Sequence, residues 1–144
     1  MLSHSSKYAL KAVLYLARHS DEDHKLMVKD LYSRVEVPRA YLAKLLQELA
    51  RHKVISSSRG PRGGFYLDEE NRNLPLIRII DVIDGPDRMT ACMLNAKNCS
   101  EERPCALHAL LQPARLQMVQ SLKNLSIREI AAYPEPGEGP MFPD

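Results

Sequence analysis

Between Pro38 and Leu67 the chain changes its period, and that change limits the folds open to it more than any other feature. Leu42, Leu45, Leu46 and Leu49 recur every three or four residues and form one apolar helical stripe. Pro38 disfavours helical geometry at Val37 and itself suits the first turn of a new helix. Arg39, Ala40, Tyr41, Lys44, Gln47 and Arg51 fall toward the other faces. Then comes "VISSSRGPRGGFYL", with β-prone ends (Val54, Ile55; Phe65, Tyr66, Leu67) around a Gly/Pro/Arg centre, the pattern of a hairpin with a basic tip. Gly60, Gly63 and Gly64 permit positive φ and add no bulk, so Arg59 and Arg62 ride outward on a narrow finger. Upstream, Val28, Leu31 and Val35 line a short helix. An ordinary helical hairpin would explain the helices alone. Helix–turn–helix–hairpin is a winged helix, and it predicts a DNA-binding module. The glycines match neither nucleotide-binding fingerprint, strand–GxxxxGK[ST]–helix or strand–GxGxxG–helix.

The charge distribution agrees. Residues 1–67 carry twelve Lys/Arg against six Asp/Glu, a balance of +6, whereas residues 68–144 carry eight against twelve, a balance of −4. A basic front half suits a polyanion, although a solvated surface could carry the same charge. With 44% apolar and 26% charged residues, a buried core is expected. Lys11 interrupts the apolar N-terminal stretch, no cleavage pattern follows and no run is long enough to span a membrane. A cytoplasmic protein is expected.

The remaining elements follow from spacing. Ala9, Ala12, Val13 and Leu16 predict a first helix over 7–19, followed by the polar loop "SDEDHK". "LIRIIDVIDG" predicts a short helix ending near Gly85. From about Cys105, Leu107, Leu111, Ala114, Met118, Leu122 and Leu125 form a stripe longer than a small domain can bury. It predicts packing against the same helix of a second copy, with a plain core helix as the alternative. Pro113 lies within it and should kink a continuous helix, at a cost of about 3 kcal/mol. Ser126 and Glu129 are spaced as a capping box for a last short helix. The expected fold class is mainly α with a small β-hairpin wing. The expected organisation is a winged helix-turn-helix domain over 1–85, a loop over 86–104, a dimerisation helix and short terminal helix over 105–133, and a disordered tail over 134–144.

All three cysteines lie in "CMLNAKNCSEERPCALH", a polar stretch that cannot fill a core. His108 stands three residues beyond Cys105, on the same face if a helix begins there. Three thiols and an imidazole make four donors suited to zinc or an iron–sulfur cluster. Structural zinc sites favour pairs two to four residues apart, whereas the gaps here hold six and five residues and suit a larger object. Lys97 and Arg103 could offset the charge of thiolate-ligated iron. Thiol-based redox sensing and unliganded cysteines are the alternatives. A Cys105–His108 nucleophile–base pair has no orienting group or oxyanion site in view, so no enzyme is expected. An electron carrier would leave the winged helix without a purpose.

These residues resemble the Rrf-type winged-helix transcription regulators, the family that includes IscR, NsrR and RirA, and most of all its IscR-like iron–sulfur members. The resemblance runs from "SSKYAL" to about Tyr133, and "SSSRGPRGGFYL", "YLAKLLQEL" and Cys92…Cys99…Cys105-x-x-His108 carry it. It implies a homodimer on a palindromic operator in double-stranded DNA, with Cys92, Cys99, Cys105 and His108 ligating a 2Fe–2S cluster. NsrR-like members hold a 4Fe–4S cluster with a carboxylate near the partner's N-terminus; here Lys7 and Tyr8 stand there and no acid precedes Asp21, which favours 2Fe–2S. Three departures are Ala43 in place of a glutamate after Tyr-Leu, Glu36 in place of a corner glycine, and Pro113. The first bears on operator sequence, the others on local geometry. On DNA, Arg39, Ala40, Tyr41 and Lys44 would face the major groove. Arg59, stiffened by Pro61, would enter the minor groove, while Arg51, Lys53 and Arg62 would contact the backbone. The signal expected is iron–sulfur, redox or nitric oxide status. A cluster-free repressor that senses oxidants through its thiols or holds zinc is the alternative.

Overall fold

Ser3 starts the first helix earlier than the apolar period predicts. Its hydroxyl accepts the Ser6 N–H at 3.0 Å, a serine cap, so helix α1 spans His4–His19. The computed structural model describes residues 2–134. On α1 the inner face is small (Ala9, Ala12, Val13, with Leu16), all fully buried, which lets neighbours approach closely. Helix α2 (Val28–Val35) contributes Leu31 and Val35, and helix α3 (Arg39–Arg51) buries Leu42, Leu45, Leu46 and Leu49, as the stripes predict. Pro38 caps α3 from just outside its first turn, and its carbonyl accepts the Leu42 N–H at 2.9 Å. At the corner Glu36 is forced to φ 56°, ψ 45°, a left-handed conformation that costs a residue with a Cβ about 1–2 kcal/mol.

Strand β1 (Ser56–Ser58) pairs antiparallel with β2 (Gly64–Tyr66), Ser57 opposite Phe65. The hairpin is therefore shifted from the β-prone run. Val54 and Ile55 lie ahead of the strand at 0% and 1% exposure, because a two-stranded wing has no interior to receive them and the helical core does. Leu26 joins the wing from the other side, exchanging backbone bonds with Phe65 at 2.9 and 2.7 Å. A Cβ on Gly64 would stand 2.8 Å from the Leu26 carbonyl oxygen, and one on Gly63 2.4 Å from that of Ser58.

A short helix that periodicity did not reveal, α4 (Glu69–Asn73), follows the wing. Asp68 accepts the Asn71 N–H at 2.8 Å, the Asn71 side chain accepts the Asp68 N–H at 2.9 Å, and Asn71 donates to the Lys53 carbonyl at 3.1 Å. Its neighbour Arg72 donates to the carbonyls of Ala17 and Ser20, satisfying the C-terminal end of α1. Helix α5 (Ile77–Asp84) then buries Ile77, Ile79 and Ile80.

Residues 86–105 contain turns but no helix or strand. Helix α6 (Ala106–Asn124) runs through Pro113. Its stripe is only partly covered: Leu107, Leu111, Met118 and Leu122 are half-buried, Ala114 is exposed, and Leu110 and Leu116 are 78% and 51% exposed. Helix α7 (Ile127–Ala131) starts at the expected Ser126–Glu129 capping box and returns to the core through fully buried Ile127. The Leu76 N–H to Leu125 and Ile127 N–H to Leu74 bonds, both 2.9 Å, fix this return. The tail expected over 134–144 lies, apart from Pro134, outside the described residues. Among the described residues no helix is long and apolar enough to cross a membrane.

Candidate metal centre and nucleic-acid interface

Cys105 caps α6 with its sulfur, which accepts the His108 N–H at 3.4 Å; this cap aims Cys105 and His108 back toward the loop. The turns between Cys92 and Pro104 fold the other two thiols onto that end. Cys99 Sγ lies 3.4 Å from His108 Nδ1 and accepts the Cys105 N–H at 3.4 Å, while Cys92 Sγ lies 3.8 Å from Cys105 Sγ. Ligand atoms of Cys92, Cys99 and His108 fall within 4.8 Å of one another. Cys105 Sγ stands outside that group of three but 3.8 Å from Cys92 Sγ, so the four residues expected as ligands gather at one end of α6.

The surroundings favour ionised sulfur at one corner. Amides of Ala96 and Leu94 point at Cys92 and lower its thiol pKa from 9.0 to about 7. For Cys99 the Cys105 amide lowers the pKa, but burial and the neighbouring Cys92 and Cys105 sulfurs outweigh it and leave the thiol above its ordinary value. Crowded thiols resist losing several protons at once, and a soft cation removes that resistance. His108 is 6% exposed, and its Nε2 is buried with no hydrogen-bond partner. A buried imidazole nitrogen without a partner is costly unless a ligand takes it up. The nitrogen turned toward the thiols is Nδ1, so the donor set of three sulfurs and that nitrogen, and not the orphaned Nε2, is what fits a metal group.

Arg115, which the sequence reading passed over, is buried in α6 and donates to the Met89 and Ala91 carbonyls. Its only sequence cue is a position seven residues after His108, two turns along one face.

The residues expected to meet DNA are distributed around α3 and the wing. Arg39, Ala40 and Lys44 are exposed on the first half of α3, and Arg59, Pro61 and Arg62 are exposed at the wing tip. Arg39, Lys29 and the wing residues Ser58, Gly60 and Gly63 line one groove between helix and hairpin. Arg51, also exposed, is paired with Glu48 at 2.6 Å, and Lys53 sits beyond the helix end at φ 60°. Tyr41 is placed differently from the expected groove contact: its hydroxyl bonds Ser5 and its ring packs edge-on against Tyr8, 5.9 Å between centroids. It ties the start of α3 to α1.

Residues 2–133 match the Rrf2 family, described as an iron-dependent transcriptional regulator. A protein of Aquifex aeolicus (strain VF5) carrying the general name HTH-type transcriptional regulator is 30% identical over 132 residues, 90% of each chain. The HTH-type transcriptional regulator IscR of Xenorhabdus nematophila is 27% identical, covering 93% of this chain and 80% of its own. Among solved structures, CymR, the global cysteine regulator of B. subtilis, superposes with a TM-score of 0.73 at 22% identity, covering 94% of this chain and 98% of its own.

Proposed function

We propose, from the premise that this chain belongs to the Rrf2 family of transcriptional regulators, that it binds operator DNA as a homodimer under the control of an iron–sulfur cluster on Cys92, Cys99, Cys105 and His108. The family consists of regulators, not enzymes, and a DNA partner supports a cytoplasmic location. The observation that carries the proposal is the convergence of three sulfurs and a buried imidazole at the N-terminus of α6. Bound there, a cluster, 2Fe–2S by the likeness to IscR-like members, would supply an iron- and redox-dependent link between the loop and the helix. The chain's own residues do the rest. Cys105 and His108 are fixed by the first turn of α6, so any shift of the loop acts on that helix directly. The partly covered stripe of α6 is the surface offered to a second copy, and a monomer in sedimentation at micromolar concentration would remove that part of the proposal.

Arg39, Ala40 and Lys44 would present α3 to the major groove, with Tyr41 holding that end of the helix through Ser5. Arg59 would enter the minor groove, and Arg51, Lys53 and Arg62 would meet phosphates. Replacing Lys44 or Arg62 with alanine should make the log–log salt slope of operator affinity shallower by about 0.9 for each lost phosphate contact; an unchanged slope removes that residue from the interface. Anaerobically purified protein is expected to be coloured and to hold iron with acid-labile sulfide. Colourless protein with stoichiometric zinc would overturn the cluster.

A second reading has its own observation. Cys92 and Cys105 sulfurs stand 3.8 Å apart, so a shift of about 2 Å would allow a disulfide. In that reading the thiols sense oxidants directly, and mass spectrometry of oxidised, metal-free protein shows a Cys92–Cys105 crosslink that changes operator affinity.

A further inference from the structure

Helix α6 buries only two of its side chains, and both are polar: His108 and Arg115. They share a face. His108 is one of the expected metal ligands, whereas Arg115 is neither a metal ligand nor part of the surface proposed to meet DNA. At 5% exposure, Arg115 donates from Nη2 and Nε to the Met89 carbonyl at 3.0 and 3.3 Å, and from Nη2 to the Ala91 carbonyl. Ala91 is bonded to Cys92. Met89 is the only side chain buried between residues 86 and 105, and beyond it the loop borders a cavity of about 210 Å³ edged by Arg88, Ala91, Cys92, Met93, Asn95 and Arg115. Apolar packing therefore does not locate Cys92.

We infer that Arg115 is the positioning residue for Cys92: its guanidinium pins the backbone at Ala91 to α6, so that the helix carrying Cys105 and His108 also sets the place of the first sulfur. A planar fork of donors can hold two carbonyls at once, and its charge strengthens each bond; a lysine ammonium on a flexible stem holds them less rigidly. Through this strap, a displacement of the loop at Cys92 is transmitted two turns further along α6 than Cys105 and His108 alone would carry it.

The inference rests on the metal-centre reading, but its test can be separated from it. Full-length wild type, Arg115→Lys and Arg115→Met are purified anaerobically and compared by visible circular dichroism, half-life of iron loss to EDTA and thermal midpoint. In the metal-free forms the rate of Cys92 alkylation by iodoacetamide is measured against that of Cys99. Arg115→Met is expected to stay folded, with a cooperative thermal transition, but lose iron at least about tenfold faster, the scale found for residues that orient ligands. Its dichroism changes, its Cys92-to-Cys99 alkylation ratio rises, and Arg115→Lys falls between. An Arg115→Met protein with wild-type iron-loss rate and alkylation ratio overturns the inference. If the wild type holds no iron, the functional reading fails, and the alkylation ratio alone still decides the role of Arg115. If Arg115→Met does not fold, Arg115→Gln replaces it in the same two measurements.

Discussion

Helices α3 and α6 are both amphipathic by sequence, yet α3 buries four leucines and α6 buries an imidazole and a guanidinium. The first is located by apolar burial, worth about 1.5–3 kcal/mol per large side chain, and needs nothing from outside to hold its place. The second is held at its far end, where Leu122 and Leu125 meet the core, and near its start by sulfur, nitrogen and carbonyl contacts. On the proposed function, the difference would separate a rigid DNA reader from a part whose geometry depends on what the donors hold. A sensor needs both, because a ligand can shift only an element whose alternatives lie close in free energy.

The contrast can be broken most directly by substitutions in each region. Leu46→Ala should lower the unfolding free energy of the metal-free protein by about 2–5 kcal/mol in urea titration. Cys99→Ser should leave that value within about 0.5 kcal/mol while abolishing iron retention. Equal destabilisation by the two would mean that the thiols are core residues and the contrast is false.

Pro113→Ala sharpens it. Restoring a helical N–H and removing the ring clash relieves up to about 3 kcal/mol, and amide exchange over 106–124 should slow accordingly. Because the middle of α6 packs on little of its own winged core, the urea midpoint of that core should move much less; a matching shift would show that helix and core unfold together. Glu36→Gly acts on the rigid side. Glycine relieves the left-handed corner but loosens the unfolded chain, leaving a net gain of about 0.5–1 kcal/mol by the same titration.

The smallest effect concerns pH. Asp84 is desolvated, which alone would raise its pKa, but hydrogen bonds from Ser3 and Ser6 outweigh this and lower it below the ordinary 3.8. The folded form therefore releases this proton more readily than the unfolded one. Its contribution is present above the unfolded pKa and is lost as pH falls through the lowered folded value. Asp84→Asn should flatten the loss of stability below about pH 4 and leave the acid limb of the unfolding curve less steep.

The legible parts of the chain were those where one residue type has one physical use. The leucine stripe of α3, the glycines of the wing and the Ser126–Glu129 cap all appear where spacing places them. Val54 and Ile55 misled the strand assignment because β propensity records a preference for half-buried pleated surface, and here a helical core offered full burial instead. Helix α4 escaped because it is five residues long and held by Asp68 and Asn71, with too few positions to show a period. Tyr41 illustrates the same limit at the start of α3: its place on the helix was readable, but its bond to Ser5 depends on how α1 packs.

From the order of residues alone come the winged-helix class, the basic front half and the grouping of three thiols with an imidazole, since each follows from local periodicity, charge or chemical type. Only the tertiary structure brings Cys92 to Cys105, sends Ile127 back to the first helix and turns Arg115 inward onto the Ala91 carbonyl. Those meetings join residues far apart in the chain. Which of them form is decided by competition for a shared interior and for a few buried polar partners, and no local pattern records that outcome.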